Sequence, residues 1–428
     1  MVEIFPEIKY DIVVVGGGPA GMAAAIFAAR EGAKVAIVEK NPCLGRKLCI
    51  TGKGRCNITN NCGKDDFFAS IPENPRFMFS AYNGFSNHDL IDFIESLGVK
   101  TVAERGGRVF PASGKAGDVR DALKKELKRL GVDVYYNTRV TSLLTDESVV
   151  KGVSLSENGM TLYAPCVVVA TGGISYPATG STGDGLRFAE KFGHKVAELC
   201  PALVGMDTVE TDVSELAGLT LKNSGIRFYD RSSGSFPGKL IYEDFGEILF
   251  THTGISGPTV LSGSFFVKDG DGGRVRILID LKPALDPETL DARLMRDFES
   301  FRKRKFGNSL DLLLPKSMIP VMVKRSGISA DKPVSEITKQ ERAKLVSLLK
   351  GFELTFKSLR PAAEAIITRG GVDVKEIDPK TMGSKLVKGL YFAGEMIAVT
   401  GYTGGFNLTI AFSTGALAGR SAAAAVSK

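Results

Sequence analysis

The sequence predicts an α/β protein. A nucleotide-binding domain with a parallel sheet is built from both ends of the chain and interrupted by a β-barrel or β-sandwich domain, which itself carries a small helical insertion. Three observations predict it. Residues 11–15 (DIVVV) pass directly into Gly16-Gly17-Gly18-Pro19-Ala20-Gly21 and an alanine-rich stretch to Arg30. Two more short apolar runs, residues 167–170 and 390–393, lie far apart in the chain and again run into glycines. Between them, from about residue 193 to residue 281, short alternating segments and many turn residues replace long helical periods.

The elements follow in order. Residues 11–15 are β-branched and uniformly apolar, as a buried parallel strand requires. After the glycines a helix runs to Arg30, breaks at Gly32, and gives way to a second strand at 34–38, closed by Glu39. Residues 115–130 read as an amphipathic helix and 132–136 as a strand, with a small antiparallel layer at 140–155 and 160–162. Beyond residue 285 the chain is charged and helical, at 287–304, 316–326 and 338–349; residues 352–356 (FELTF) alternate like a strand returning to the β layer. Residues 408–426 form a small-residue helix. The expected division is 1–193 and 363–428 for the nucleotide-binding domain, 194–284 for the β domain, 285–350 for the helical insertion and 351–362 for the returning strand.

The fingerprint Gly16-x-Gly18-x-x-Gly21 is informative here because a strand precedes it, a helix follows, and an acidic residue ends the next strand. Gly16 permits the tight turn and Gly18 lets backbone N–H groups approach a pyrophosphate at the helix N-terminus. Gly21 allows close helix–strand packing, and Glu39 would accept ribose hydroxyls. A dinucleotide is expected, held also by Pro19, Ala20 and Lys40 around the turn. Ala170-Thr171-Gly172 and Gly394-Glu395 resemble the later strand ends of flavoproteins with the two-dinucleotide fold. There the acidic residue holds the ribityl chain, and a helix starting near Gly405 would point its positive end at the reduced flavin ring. FAD is therefore preferred to a nicotinamide cofactor.

A closer resemblance rests on GRKLCITGKGRCNITN (residues 45–60), GRVFP (107–111), TGSTGDG (179–185), FTHTGISGP (250–258) and GYTGGFNL (401–408). These motifs are similar to those of a bacterial flavoprotein family whose members include aminoacetone-oxidase-like and dehydro-bile-acid-reductase-like (BaiN-type) proteins. The resemblance runs nearly end to end. It implies an FAD-binding Rossmann-like domain of glutathione-reductase type, an inserted β domain and a small helical domain. It also implies that Arg46, Lys47, Thr51, Gly52, Arg55, Cys56 and Asn57 line the pyrophosphate and ring side. Val140 would offer its backbone to adenine, and Gly394, Glu395, Gly405, Phe406, Asn407 and Leu408 would hold ribityl and ring. The chain departs from the family pattern at Thr400, where Asp is usual, at Gly383, where Glu is usual, and at Lys53, where glycine is expected.

Other chemistry-bearing residues are few. Cys43, Cys49, Cys56 and Cys62 crowd one stretch without the spacing of a redox pair or a metal site and read first as packing or flavin-loop residues; the alternative is that thiols beside Arg46, Lys47 and Arg55 have a lowered pKa and react. No metal is expected. Of the 3 His, His88 reads as a helix-start residue and His194 as a solvated or capping one. His252 and Tyr402 are the candidate proton donors, His252 in the inserted domain and Tyr402 beside the ring-binding segment. The basic runs 124–129 and 302–305 read as solvated helix faces.

Composition excludes several classes. With 43% hydrophobic and 24% charged residues, disorder is ruled out as the main state. A net charge of +7 over 428 residues is too mild to identify a nucleic-acid partner. No apolar run is long enough for a membrane span and no secretory signal is evident, so a cytoplasmic protein is expected. The expected function is an FAD-dependent oxidoreductase moving hydride between flavin N5 and a small organic substrate, as a C=C reductase or an amine oxidase. The substrate would lie between the FAD and β domains. NAD(P)H is a possible transient donor, since only one complete fingerprint is present. The alternatives are a non-catalytic FAD-binding sensor or RNA- or partner-binding protein, and a thiol–disulfide oxidoreductase using the cysteine cluster.

Overall fold

The computed structural model describes residues 8–156, 159–232, 234 and 237–427. These form two compact units, one made of residues up to Pro201 together with those from Ala365 onward, the other of Ala202–Glu364.

The first unit is organised by a parallel five-stranded sheet in the order Leu390–Phe392, Cys166–Val169, Ile12–Val15, Val35–Val38, Asp133–Tyr135. The four residues of Ile12–Val15, Val35–Val38 and Cys166–Val169 are all buried, which explains why these strands read as unbroken β-branched runs. Strands from both ends of the chain meet in this sheet, so the nucleotide-binding fold is completed only after the intervening unit has been made.

Helices Pro19–Arg30 and Phe406–Val426 cross closely on the sheet. A Cβ on Gly415 would stand 2.3 Å from Ala20 O, and one on Gly419 2.2 Å from Ala24 O, so glycine is what allows the backbones to touch. A four-stranded layer (Ile8–Lys9, Thr161–Tyr163, Val149–Leu155, Val140–Asp146) and a three-stranded one (Thr59–Asn60, Arg108–Pro111, Thr101–Ala103) flank this core. Val196–Ala202 pairs with Ile367–Val372, which keeps the chain in the first unit past residue 193 and places the division at Pro201.

The second unit is a closed six-stranded barrel of Met206–Thr208, Gly254–Ser256, Lys239–Phe250, Thr220–Asp230, Val275–Asp280 and Phe352–Leu359. Met206–Thr208 closes it by pairing with both Gly254–Ser256 and Phe352–Leu359. Helices Pro287–Ser300, Ile319–Ser326 and Lys339–Lys350 fill the connection between the last two strands. The first of these helices ends at Ser300, so the basic run 302–305 lies in turns beyond it and not on a helix. Among the described residues no helix is long and apolar enough to cross a membrane.

Candidate active site

The first unit contains a cavity of about 1300 Å³, counting its open mouth, whose walls begin at the glycine-rich turn. The three fingerprint glycines do different jobs. A Cβ on Gly16 would meet Ala170 O at 2.6 Å and one on Gly21 would meet Gly16 O at 1.9 Å, so both are needed for packing. A Cβ on Gly18 would meet no protein atom within 4 Å. Gly18 lines the cavity and is the N-cap of Pro19–Arg30, which has no side-chain cap and no acidic residue in its first turn. Phe406–Val426 likewise starts at an uncapped glycine, Gly405. Two helix N-termini with unanswered N–H groups suit an anionic or electron-rich ligand.

Glu39 and Glu395 supply the acidic groups. Glu39 is buried and accepts from Gly17 N (2.8 Å), Asn41 N (2.8 Å) and Asn41 Nδ2 (2.6 Å). Glu395 accepts from Lys47 Nζ (2.6 Å), Ser175 Oγ (2.9 Å) and Thr368 N (2.6 Å). A carboxylate offers about four lone-pair sites, so each glutamate is fixed in place and keeps room for about one more donor. A ribose or ribityl hydroxyl is such a donor. These observations fit a dinucleotide flavin.

Most of the residues singled out from sequence meet here. Gly16, Gly18, Pro19, Ala20, Glu39, Lys40, Arg46, Lys47, Thr51, Val140, Ala170, Thr171, Gly172, Gly394, Glu395, Asn407 and Leu408 all line the cavity. Gly21, Gly52, Arg55, Cys56, Asn57, Gly405 and Phe406 are not on its wall. The reasons are local. Arg55 turns to Glu104 and lies 4.1 Å over the Phe110 ring. Asn57, with its amide oriented as its neighbours require, accepts from Gly405 N (3.1 Å) and so positions the start of the C-terminal helix. Gly405 backs onto Thr59, whose carbonyl carbon a Cβ would meet at 2.4 Å.

The sequence reading missed Asp184, which lines the cavity at 6% exposure. It receives Lys40 Nζ (2.8 Å), Arg139 Nη2 (2.7 Å) and Arg187. Burial pushes its carboxyl up, but hydrogen bonds from Lys40 and Arg139 outweigh that and hold it at about 2. Its place in the TGSTGDG motif was the available signal; its partners lie on other elements.

Burial pushes Cys56 up to about 12 and raises Cys49 and Cys62 as well, which favours the packing reading of these three cysteines over an activated one. Arg120, 3.8 Å from Cys49 Sγ, pulls the other way but does not outweigh burial, while Arg55 pairs with Glu104 and Lys47 with Glu395. His194 is not solvated, but it does cap: its backbone N–H donates to Ala189 O (3.0 Å), an end carbonyl of the helix Asp184–Lys191. It is 3% exposed, between Ala189 O (3.2 Å) and Ser384 Oγ (2.7 Å), with burial lowering its pKa. His88 is the second residue of Asn87–Ser96 and exposed. His252 is exposed on the second unit, just before Gly254–Ser256. Tyr402 is half-buried; its N–H donates to Ser70 O (2.9 Å) and its carbonyl accepts from Asn407 Nδ2 (3.3 Å). Among the described residues no group of His, Cys, Asp and Glu is placed to hold a metal ion.

A parallel sheet with one glycine fingerprint, a long cavity and two helix N-termini directed to ligand chemistry define the class: an FAD-dependent oxidoreductase. The HI0933-like protein Rossmann domain family matches residues 10–421, and the chain belongs to that family. It is 31% identical to the 3-dehydro-bile acid delta(4,6)-reductase of Clostridium scindens, over 96% of this chain and 98% of that one. It is 30% identical to a ribosomal RNA dihydrouridine synthase of Escherichia coli, over 95% and 96% of the two chains. The fold is shared with the 3-ketosteroid delta1-dehydrogenase of Sterolibacterium denitrificans (TM-score 0.55, 15% identity, 97% of this chain and 100% of that one). It is also shared with the FrdA chain of E. coli quinol fumarate reductase (TM-score 0.54, 16% identity, 99% and 71%).

Proposed function

We propose that this chain reduces a carbon–carbon double bond conjugated to a carbonyl in a small organic substrate. The observation that carries the proposal is the end-to-end similarity to a bile-acid delta(4,6)-reductase, combined with a cavity whose glycines and helix N-termini suit FAD. Bound flavin supplies the hydride chemistry. The chain's own residues bind and orient. The N–H groups after Gly18 would hold the pyrophosphate, Glu39 the ribose and Glu395 the ribityl chain, with Lys47 holding Glu395 in place. Asn407 clamps the Gly401–Tyr402 turn through Gly401 N (2.9 Å) and Gly401 O (2.7 Å), which would fix the wall near the ring. Neither His252 nor Tyr402 lines this cavity, so neither is assigned the proton.

NADH or NADPH is the proposed electron source, acting transiently at the flavin because a second fingerprint is not present in the sequence. The test is an anaerobic titration of the yellow protein with each nucleotide, followed by a panel of conjugated acceptors. Bleaching by a nicotinamide and recovery with an enone supports the proposal. Bleaching by amines, with peroxide formed in air, would replace it by an amine oxidase. Recovery only with uridine-containing RNA would move the conjugated double bond from a free molecule to a nucleobase. The thiol–disulfide reading is disfavoured by the raised cysteines.

A further inference from the structure

One half-buried carboxylate in the first unit has no part in holding the cofactor as described. Glu73 lies on the segment Ser70-Ile71-Pro72-Glu73-Asn74, which runs as a strap along residues 398–402, behind the cavity-lining Thr400. Three ties hold it there. Tyr402 N donates to Ser70 O (2.9 Å), Glu73 and Thr400 form an antiparallel bridge, and Asn74 Nδ2 donates to Ala398 O (2.7 Å). The wall segment is itself pinned from behind: Ala398 N donates to Val372 O (3.1 Å), and Gly371 sits so close that a Cβ would meet Met396 O at 2.7 Å. Glu73 is thus fixed at the junction of three segments rather than carried on a free loop.

Thr400 connects this carboxylate to the cavity. Thr400 is 2% exposed, lines the cavity, and directs its Oγ1 at Glu73 Oε2, 3.5 Å away. That distance is long for a hydrogen bond and leaves room for either atom to be the donor as the site tightens. The groups facing Glu73 from the packed elements are Arg369 and the Gly370 N–H on Ile367–Val372, and the Thr400 hydroxyl. Burial raises the Glu73 carboxyl, and the Arg369 charge, the Thr400 hydroxyl and the Gly370 N–H lower it only in part. A carboxyl shifted toward neutral pH is suited to give up a proton during turnover.

We infer that Glu73 is a positioning and proton-supplying residue that acts through Thr400, delivering the proton that must accompany hydride in saturating the double bond. The inference rests on the reading of the chain as a conjugated C=C reductase. In the step, the substrate π bond breaks and the reduced flavin supplies the hydride, with both electrons, to one carbon. The Thr400 O–H bond breaks as its proton bonds to the other carbon. The Glu73 carboxylic acid reprotonates the Thr400 oxygen, and the resulting carboxylate regains a proton from water. The threonine is a conduit and is unchanged at the end.

Two measurements test this. In anaerobic rapid mixing of dithionite-reduced holoenzyme with an enone, Glu73→Gln and Thr400→Val should each slow flavin reoxidation by about 100-fold, the scale of general acid catalysis. Thr400→Ser should recover most of the rate, and both slow variants should still bind FAD with an unchanged visible spectrum. A rate within two-fold of wild type in Glu73→Gln overturns the relay. The second measurement needs no substrate: the carboxylic-acid C=O infrared band of the holoenzyme is followed against pH. A band absent in Glu73→Gln should titrate above the ordinary carboxylate range in wild type and higher still in Thr400→Val, because the hydroxyl that favours the ionised form is gone. Were no enone reduced by the wild type, the substrate reading would fall on its own. A Glu73 band that titrates in the ordinary range, or that Thr400→Val leaves unmoved, overturns the coupling to Thr400.

Discussion

At the residue scale, the fingerprint glycines separate folding from binding. Gly18→Val puts its side chain into open cavity, so the apo-protein should unfold at nearly the wild-type temperature while FAD affinity falls at least ten-fold. Gly21→Ala drives a methyl group into Gly16 O and should cost about 1–3 kcal/mol in thermal unfolding, the usual penalty of overpacking. If both variants lost stability equally, the division of labour among the glycines would be wrong. His194 carries a pH signature. Its folded pKa lies below the ordinary 6.5, so its contribution is intact above pH 6.5. Below that the unfolded chain takes up a proton that the folded one resists, and stability declines. Melting temperature measured from pH 8 to pH 5 should fall in wild type and fall less steeply in His194→Gln. Identical slopes would exclude His194 as the cause.

At the element scale, the sequence was most readable where one local rule decided the outcome. The strand–glycine–helix unit at Ile12–Arg30 follows from β-branched burial and a turn that only glycine can make. The alternating residues of Phe352–Leu359 and Val275–Asp280 announced barrel strands with one buried face. Illegible were contacts made between elements. Asp184 meets Lys40 and Arg139 across separations of 144 and 45 residues, and nothing near Asp184 in the chain signals either. His194 looked like a turn residue, yet the Ser384 hydroxyl, 190 residues away, completes its buried hydrogen bonding. The short helices Lys64–Ala69 and Phe79–Gly84 escaped because they are too short to show a period, whereas His88 does stand at the start of a helix, Asn87–Ser96. The crossing of Pro19–Arg30 with Phe406–Val426 gives a prediction at this scale. Gly419→Val should lower stability by about 1–3 kcal/mol, read by thermal unfolding, because the side chain must displace Ala24 O.

At the scale of the whole molecule, the site belongs to one compact unit whose sheet joins residues from both ends of the chain. FAD binding should therefore stabilise the fold that both ends complete. At a free FAD concentration 100 times its dissociation constant the gain is about 2.7 kcal/mol, and the melting temperature should rise with added FAD and fall on its removal. Three of the motifs that carry the family resemblance, residues 45–60, 179–185 and 401–408, contribute to this cavity, and Asn57 supports it from behind Gly405; residues 250–258 belong to the other unit. Substrate choice is the part that no local motif carries. Thr400 lines the cavity, and its partner Glu73 comes from a distant segment of the chain.

The most direct test of the central claim is anaerobic mixing of the reduced holoenzyme with a steroid or other small molecule bearing a 4-en-3-one group. The account predicts that the oxidised-flavin absorbance returns without oxygen and that one equivalent of the saturated ketone forms per flavin. Reoxidation by oxygen alone, with every conjugated acceptor left unreduced, would contradict it.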